Sequence, residues 1–354
     1  MLNNLQVVRG MAALMIVFFH WASEYAGLKY HAVGLVTGID LFFVLSGFVM
    51  IYTTARRPLG MWAFFINRVV RIVPLYWALT MAVFLGALVA PRIFQSTRGD
   101  SVELLKSLLF IPYLKGSGLF RPVLHPGWTL NLEMFFYGLF AVSLIVRSGA
   151  WRLALVIGAL FSLVGLGAVL QPQGGLLAFY SQPVILDFGA GMVLGVIFPR
   201  LAQLQVSRIL CYVGLVVTAI AMVAARQLLP DPQAAIPIGL SATLFVLFVL
   251  LAEVRGVVVR SPFLLLIGAA SYSLYLTHIF VVLALQKIVA KLGADQGMLL
   301  PISAIAIAAV SVGVGIMVHL WFERPVDTAL RTLLRYRRSD PVGNSLALWP
   351  WRRA

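Results

Sequence analysis

Ten apolar runs, each of about 20 residues, punctuate the chain, and runs of that length match the roughly 30 Å hydrocarbon core of a bilayer. They lie at roughly 5–25, 33–54, 69–90, 128–146, 151–170, 183–199, 207–226, 235–253, 263–286 and 300–322. With 61% of residues hydrophobic, 11% charged and a mean hydropathy of +0.98, the composition is that of a membrane protein. The predicted fold is all-α, a polytopic bundle of about ten transmembrane helices. A further stretch, SVELLKSLLFIPYL at 101–114, is too short and too charged to cross, and is expected as an interfacial helix in a long outer loop. The N-terminus has no basic leader and its apolar run is long, so it is expected to stay as the first span. The region 1–325 is then one transmembrane domain, and 326–354 is a basic tail.

The formal charge of +15 does not indicate nucleic acid, because the basic residues sit in short loops rather than in one patch. Two-thirds of the 27 lysines and arginines fall on the side of the N-terminus, which places both termini in the cytoplasm by the positive-inside rule. The localisation expected is a bacterial cytoplasmic (inner) membrane. The tail carries Arg331, Arg335, Arg337, Arg338, Trp349 and Trp351 and reads as a segment lying on anionic headgroups. The single cysteine, Cys211, sits in an apolar run and cannot form an internal disulfide.

Depth along the spans is the informative quantity. Counted at about 1.5 Å per residue, His20 lies about five residues from the outer end of the first span. Asp40 lies about seven residues into the second, Glu133 about five into the fourth and Asp187 about four into the sixth, on the same count. His278, about fifteen residues up the ninth span, reaches the same outer half. Ionisable groups at membrane depth are expensive and are usually paired or turned to a cavity. Each also has a plain reading. Asp40 and Asp187 are interfacial if their spans start late, Glu133 can serve folding alone, and His278 shares a polar seam with Ser271 and Tyr275.

Arg9 and His20 share one stripe of the first run, about three turns and 16 Å apart. Arg68 and Arg71, neighbours on one helix face, join Arg9, Arg56 and Arg57 at the inner side. Singly these are ordinary inner-leaflet anchors; together they form an anion site. An arginine cluster with an imidazole one long arm above it matches the shape of acyl-coenzyme A: phosphates, then pantetheine, then a thioester. A neutral imidazole suits a general base, with Glu133 or Asp40 to fix its tautomer.

The stretches Arg9-x10-His20, IDLFFVLSGFVM (39–50), RVVRIVPLYW (68–77), GWTLNLEMFFYGLF (127–140), LDFGAGMVLG (186–195), GAASYSLYLTH (268–278) and FERP (322–325) resemble the acyltransferase-3 family of membrane proteins, in family order along nearly the whole chain. The form HPGWTLNLEMFFY most resembles the exopolysaccharide (succinoglycan-type) O-acetyltransferases; Thr129 stands where the family often has serine. The resemblance implies transfer of an acyl group, usually acetyl, from cytoplasmic acyl-CoA to a hydroxyl of an extracytoplasmic or lipid-linked saccharide. It implies that Arg9 and His20 are essential and that Arg68 and Arg71 serve the donor. His20 then acts as base with Glu133 or Asp40 beside it. Trp128, Tyr137 and Tyr272 are candidate oxyanion donors, and Asp187 and His278 candidate acceptor contacts. An acyl-histidine is an alternative course. The acyl-CoA (acetyl-CoA) donor is the one cofactor-like molecule expected, with no metal. The partners are membrane lipid, the saccharide acceptor and polysaccharide-assembly proteins.

A transporter or flippase for a lipid-linked sugar is the competing class, since such proteins also place ionisable groups near mid-membrane. A purely structural assembly partner is a third. Other chemistries find no motif: there is no G-x-S-x-G, HExxH, P-loop or dinucleotide fingerprint.

Overall fold

A computed structural model describes residues 2–23, 25, 33–90, 99–115, 118–230, 233–293, 297 and 299–334. In chain order the helices are α1 (Asn3–Ser23), α2 (Gly38–Arg56), α3 (Met61–Val89), α4 (Ser101–Leu108), α5 (Gly127–Ser143), α6 (Gly149–Leu170), α7 (Gly175–Tyr180), α8 (Leu186–Leu201), α9 (Arg208–Leu228), α10 (Ala235–Val254), α11 (Pro262–Ala269), α12 (Ser271–Lys291), α13 (Leu299–Val318) and α14 (Arg324–Leu333). A π-helical turn, His319–Glu323, joins the last two. Among the described residues the only β pairing is an isolated bridge between Leu114 and Phe120. The protein is an all-α polytopic membrane bundle. Side chains such as Val169 (80% exposed), Ile209 (75%) and Ile236 (69%) point outward, as lipid requires and water would penalise.

Nine helical stretches among the described residues are long and apolar enough to cross a membrane, and they coincide with nine of the ten runs. The fourth run forms the 17-residue helix α5, about 25 Å long and at the lower limit for crossing. Two boundaries differ from the sequence reading. The third span begins at Met61, not near 69, so Arg68 and Arg71 stand inside α3 instead of at its start. The ninth run, 263–286, breaks at Ala270 into α11 and α12. The short apolar run at 101–114 holds the eight-residue helix α4, capped by Asp100, whose carboxylate accepts the Val102 amide at 2.7 Å. Of the basic tail, Arg335, Arg337, Arg338, Trp349 and Trp351 lie outside the described residues.

The chain divides into two compact units, Met1–Tyr52 with Asp187–Trp321, and Thr53–Leu186 with Phe322–Ala354. In the first unit α1 is the hub, touching the turn Val33–Thr37 and helices α10, α11, α12 and α13. Its buried positions Leu5, Val8, Ala12, Ala13, Ile16 and Val17 recur at three- and four-residue spacing. Close approach rests on glycine. A Cβ on Gly268 would stand 2.0 Å from the Gln6 carbonyl oxygen, and one on Gly10 3.1 Å from the Gly268 nitrogen. The N-terminus of α1 is capped from afar. Glu253 accepts the backbone amides of Asn3 and Asn4 at 2.8 and 2.9 Å, and Asn4 exchanges hydrogen bonds with Val257 and Val259. Helices α2 and α8 meet backbone to backbone. A Cβ on Gly47 would lie 2.0 Å from the Phe188 carbonyl oxygen, and one on Gly191 the same distance from that of Val44.

In the second unit α3 packs on α5 through Phe64, Tyr137 and Phe140. The far end of α3 holds the α4 region: Tyr76 donates to the Ser107 carbonyl at 3.2 Å and Trp77 to that of Leu108 at 2.8 Å. Tyr113 shares a hydrogen bond with the Ser107 hydroxyl, and burial pushes its own hydroxyl up to about 12, so it stays neutral. Helix α14 docks back on α3 through Arg331, which donates to the Asn67 side chain at 2.7 Å while gripping Asp327 with two further bonds at 2.8 and 2.9 Å.

Candidate active site

The first unit brings four of the expected residues into two pairs. The first pair joins α1 to α12. Gly10 meets Gly268, and ten residues further along each chain His20 meets His278, so α1 runs parallel to and in register with α11–α12. The two imidazole rings lie 5.1 Å apart, centroid to centroid, tilted by 40°. His20 is half-buried and its ring also contacts Phe19. His278 is fully buried, and its Nδ1 lies 2.6 Å from the Tyr275 carbonyl oxygen. Its Nε2 is buried with no hydrogen-bond partner among the described residues.

The second pair joins α2 to α8. Asp40 and Asp187 are both buried, and their carboxyl groups lie close enough to interact directly, while Asp187 Oδ2 has no hydrogen-bond partner among the described residues. Gly239 on α10 closes the other side: a Cβ there would lie 2.0 Å from Asp187 Oδ1. Arg9 is half-buried on the second turn of α1, eleven residues before His20 on one unbroken helix, so the spacing of about 16 Å holds. Tyr272 is half-buried at the start of α12.

The second unit holds the other site residues. Tyr137 donates its hydroxyl to Glu133, one turn earlier on α5. The Arg68 guanidinium lies over the rings of Phe64 and Tyr137, 5.2 and 5.6 Å from their centroids, with the Glu133 charge close enough to attract it. Its Nε is buried with no hydrogen-bond partner among the described residues. Arg71 is ion-paired with the buried Glu323 of the π-helical turn. Trp128 is half-buried in the first turn of α5.

Arg68 and Arg71 line a cavity of about 440 Å3 together with Arg57, Arg331, Asn67 and Thr53. Four guanidinium groups around one cavity make a site for a multiply charged anion, with geometry suited to bidentate phosphate recognition. Arg56, counted with this cluster in the sequence, is exposed and does not line it. One lining residue, Arg331, was not evident in this role from the sequence, where it looked like part of a lipid-binding tail. Glu323, which pairs with Arg71, was visible only as a letter in the FERP stretch. No group of three or more His, Cys, Asp or Glu among the described residues could hold a metal.

A family model for an acyltransferase domain matches residues 2–320. The chain belongs to the acyltransferase-3 family. This acyltransferase is similar, at 36% identity over 336 residues, to the exopolysaccharide production protein ExoZ of Rhizobium meliloti (strain 1021), covering 94% of this chain and 98% of that one. It is 28% identical over 172 residues to BcsY of Komagataeibacter xylinus, described as a candidate membrane-bound transacylase, over 45% of this chain and 42% of the relative. No solved structure matches the acyltransferase significantly.

Proposed function

We propose that this acyltransferase moves an acyl group, acetyl in the default case, from cytoplasmic acyl-CoA to a hydroxyl of an extracytoplasmic or lipid-linked saccharide, as part of exopolysaccharide modification in a bacterial inner membrane. The observation that carries the donor side is the arginine cavity. Arg57, Arg68, Arg71 and Arg331 bring four guanidinium groups to a volume within the usual range for a ligand pocket, roughly 300–1,000 Å3. Coenzyme A is anionic at its nucleotide end only, so a cationic cavity leaves the thioester arm free to extend elsewhere. Arg9 is assigned to the donor with them. The ExoZ relative, named for exopolysaccharide production, supports the acceptor class.

In this reading His20 is the general base. Its imidazole removes the proton of the acceptor hydroxyl as that oxygen bonds to the thioester carbonyl carbon. The tetrahedral intermediate then collapses, the carbon–sulfur bond breaks, and the proton passes from His20 to the departing thiolate. Asp40 or Glu133 orients the acceptor or the base. Asp187, Trp128 and Tyr272 contact substrate, and Tyr137, whose hydroxyl is given to Glu133, does so through its ring.

The test is acetyl transfer, and free CoA release, in membranes or purified protein. His20→Ala lowers kcat by about 10²–10⁴ with the protein still folded. Arg68→Ala raises the apparent KM for acetyl-CoA by about 10- to 100-fold, the value of one or two charge-assisted hydrogen bonds. Wild-type turnover in folded His20→Ala removes the base assignment. Absence of any thioester cleavage by the wild type favours a sugar transporter instead.

A further inference from the structure

We propose that His278 is the positioning residue for His20: it fixes the tautomer of the His20 ring, so that His20 presents a bare nitrogen to the acceptor hydroxyl. The inference rests on the reading of His20 as the base.

The chain of reasoning begins at Tyr275. A carbonyl oxygen only accepts, so the 2.6 Å contact makes His278 Nδ1 the donor. In the neutral ring the lone pair is then on Nε2. That nitrogen is fully enclosed and has no hydrogen-bond partner among the described residues. Buried polar atoms are nearly always satisfied, and an exception points to a partner that arrives or turns in. Of the two rings packed on His278, that of His20 at 5.1 Å is nearer than that of Tyr275 at 5.9 Å, and it is the one that can turn a ring N–H toward the lone pair. Two imidazoles joined by an N–H···N bond of about 3 Å have centroids roughly 5 Å apart, allowing for the ring radii. The observed separation is 5.1 Å, so the bond closes when the His20 ring turns an N–H toward the held His278 ring.

A lone pair facing His20 selects the tautomer whose N–H points toward it. The opposite nitrogen of His20 is then unprotonated, which a general base requires. When His20 takes the hydroxyl proton, both of its nitrogens become donors, and His278 accepts from one of them without taking the proton. The bond that orients the base thus also stabilises its charged form. A carboxylate does this in many hydrolases; here a pinned neutral imidazole, held in register by Gly10 on Gly268, takes the place. His278 touches neither donor nor acceptor in this scheme.

The experiment has two independent readouts. The first is kinetic. His278→Leu removes the acceptor nitrogen and is expected to lower kcat by about 10- to 100-fold, with KM for acetyl-CoA within twofold. His278→Gln, whose amide oxygen reaches near the Nε2 position, recovers most of that loss. In a His20→Ala background, His278→Leu has no further effect, because its contribution passes through His20. The second readout needs no turnover: nitrogen-15 NMR of labelled histidines reports which His20 nitrogen bears the proton. One tautomer dominates in the wild type and both appear in His278→Leu. Wild-type kcat in folded His278→Leu, or a His20 tautomer indifferent to the substitution, overturns the proposal. If His278→Leu does not fold, a mixed His20 tautomer in the wild type overturns it equally. A protein with no acyl transfer but with coupled tautomers refutes the reading of the reaction while leaving the histidine coupling in place.

Discussion

The carboxyl pair of Asp40 and Asp187 has little room around it. Gly239 faces Asp187 Oδ1 so closely that a methyl group there would overlap it, and Asp187 is nearly fully buried. Gly239→Ala is therefore expected to push the carboxyl off its partner and to cost about 1–3 kcal/mol, the usual range for overpacking. Thermal unfolding in detergent checks this. Asp187→Asn keeps the shape and a polar group beside Asp40 and should unfold close to the wild type, whereas Asp187→Leu puts an apolar side chain against that buried carboxyl and should not. That these acids stand within apolar runs was legible in the sequence, because charged residues there are rare. Their pairing was not, since nothing in the spacing links Asp40 on α2 to Asp187 on α8. The same holds for Arg71. Its neighbour Arg68 was evident from the i,i+3 spacing, but its ion pair with Glu323 depends on a return of the chain from the far end of the sequence.

Among the elements, α1 is fixed at both ends by other helices. Glu253 of α10 caps its N-terminal amides, and Gln286 of α12 donates to the Trp21 carbonyl at 2.8 Å. Because α1 carries both Arg9 and His20, its position along the bundle sets where those two groups stand. Glu253→Ala should destabilise the protein by about 1–2 kcal/mol, as loss of a helix cap does. It should lower transfer activity more than a surface substitution such as Lys106→Ala does, measured in the same membranes. Gly191→Leu is expected to be more severe, since the Val44 carbonyl occupies the space its side chain would need; yield of folded protein from detergent extraction reads the effect. The existence and type of these helices followed from hydropathy alone. The break at Ala270 did not, because Ser271 continues an apolar helical pattern and the nearby Gly268 still lies within α11. The early start of α3 was hidden for the opposite reason: Asn67, Arg68 and Arg71 look like loop, yet α3 is 29 residues long, about 43 Å, and exceeds the hydrocarbon core.

At the scale of the whole chain, the topology turns on α5. If this 17-residue helix and the nine longer stretches all cross, the count is ten and both termini lie on one side of the membrane. We expect that outcome, because α5 is as long as the shortest spanning helices. A reporter fused after Ala354 that is active only in the cytoplasm agrees with ten crossings; activity only outside means nine. The membrane class and the helical bundle could be read from composition and run length, since a bilayer imposes its thickness on any chain that crosses it. The division into two units could not, for it depends on which distant helices share a core.

Helix α14 carries one practical consequence. Arg331 and Leu334 both line the arginine cavity, and the cross-brace from Arg331 to Asn67 and Asp327 is what keeps that last helix against α3. Anyone shortening the protein for crystallisation should cut beyond Leu334. A stop codon placed just after the FERP stretch would remove one of the pocket's four guanidinium groups, with the Asp327 that orients it, and the Leu334 side of its lining.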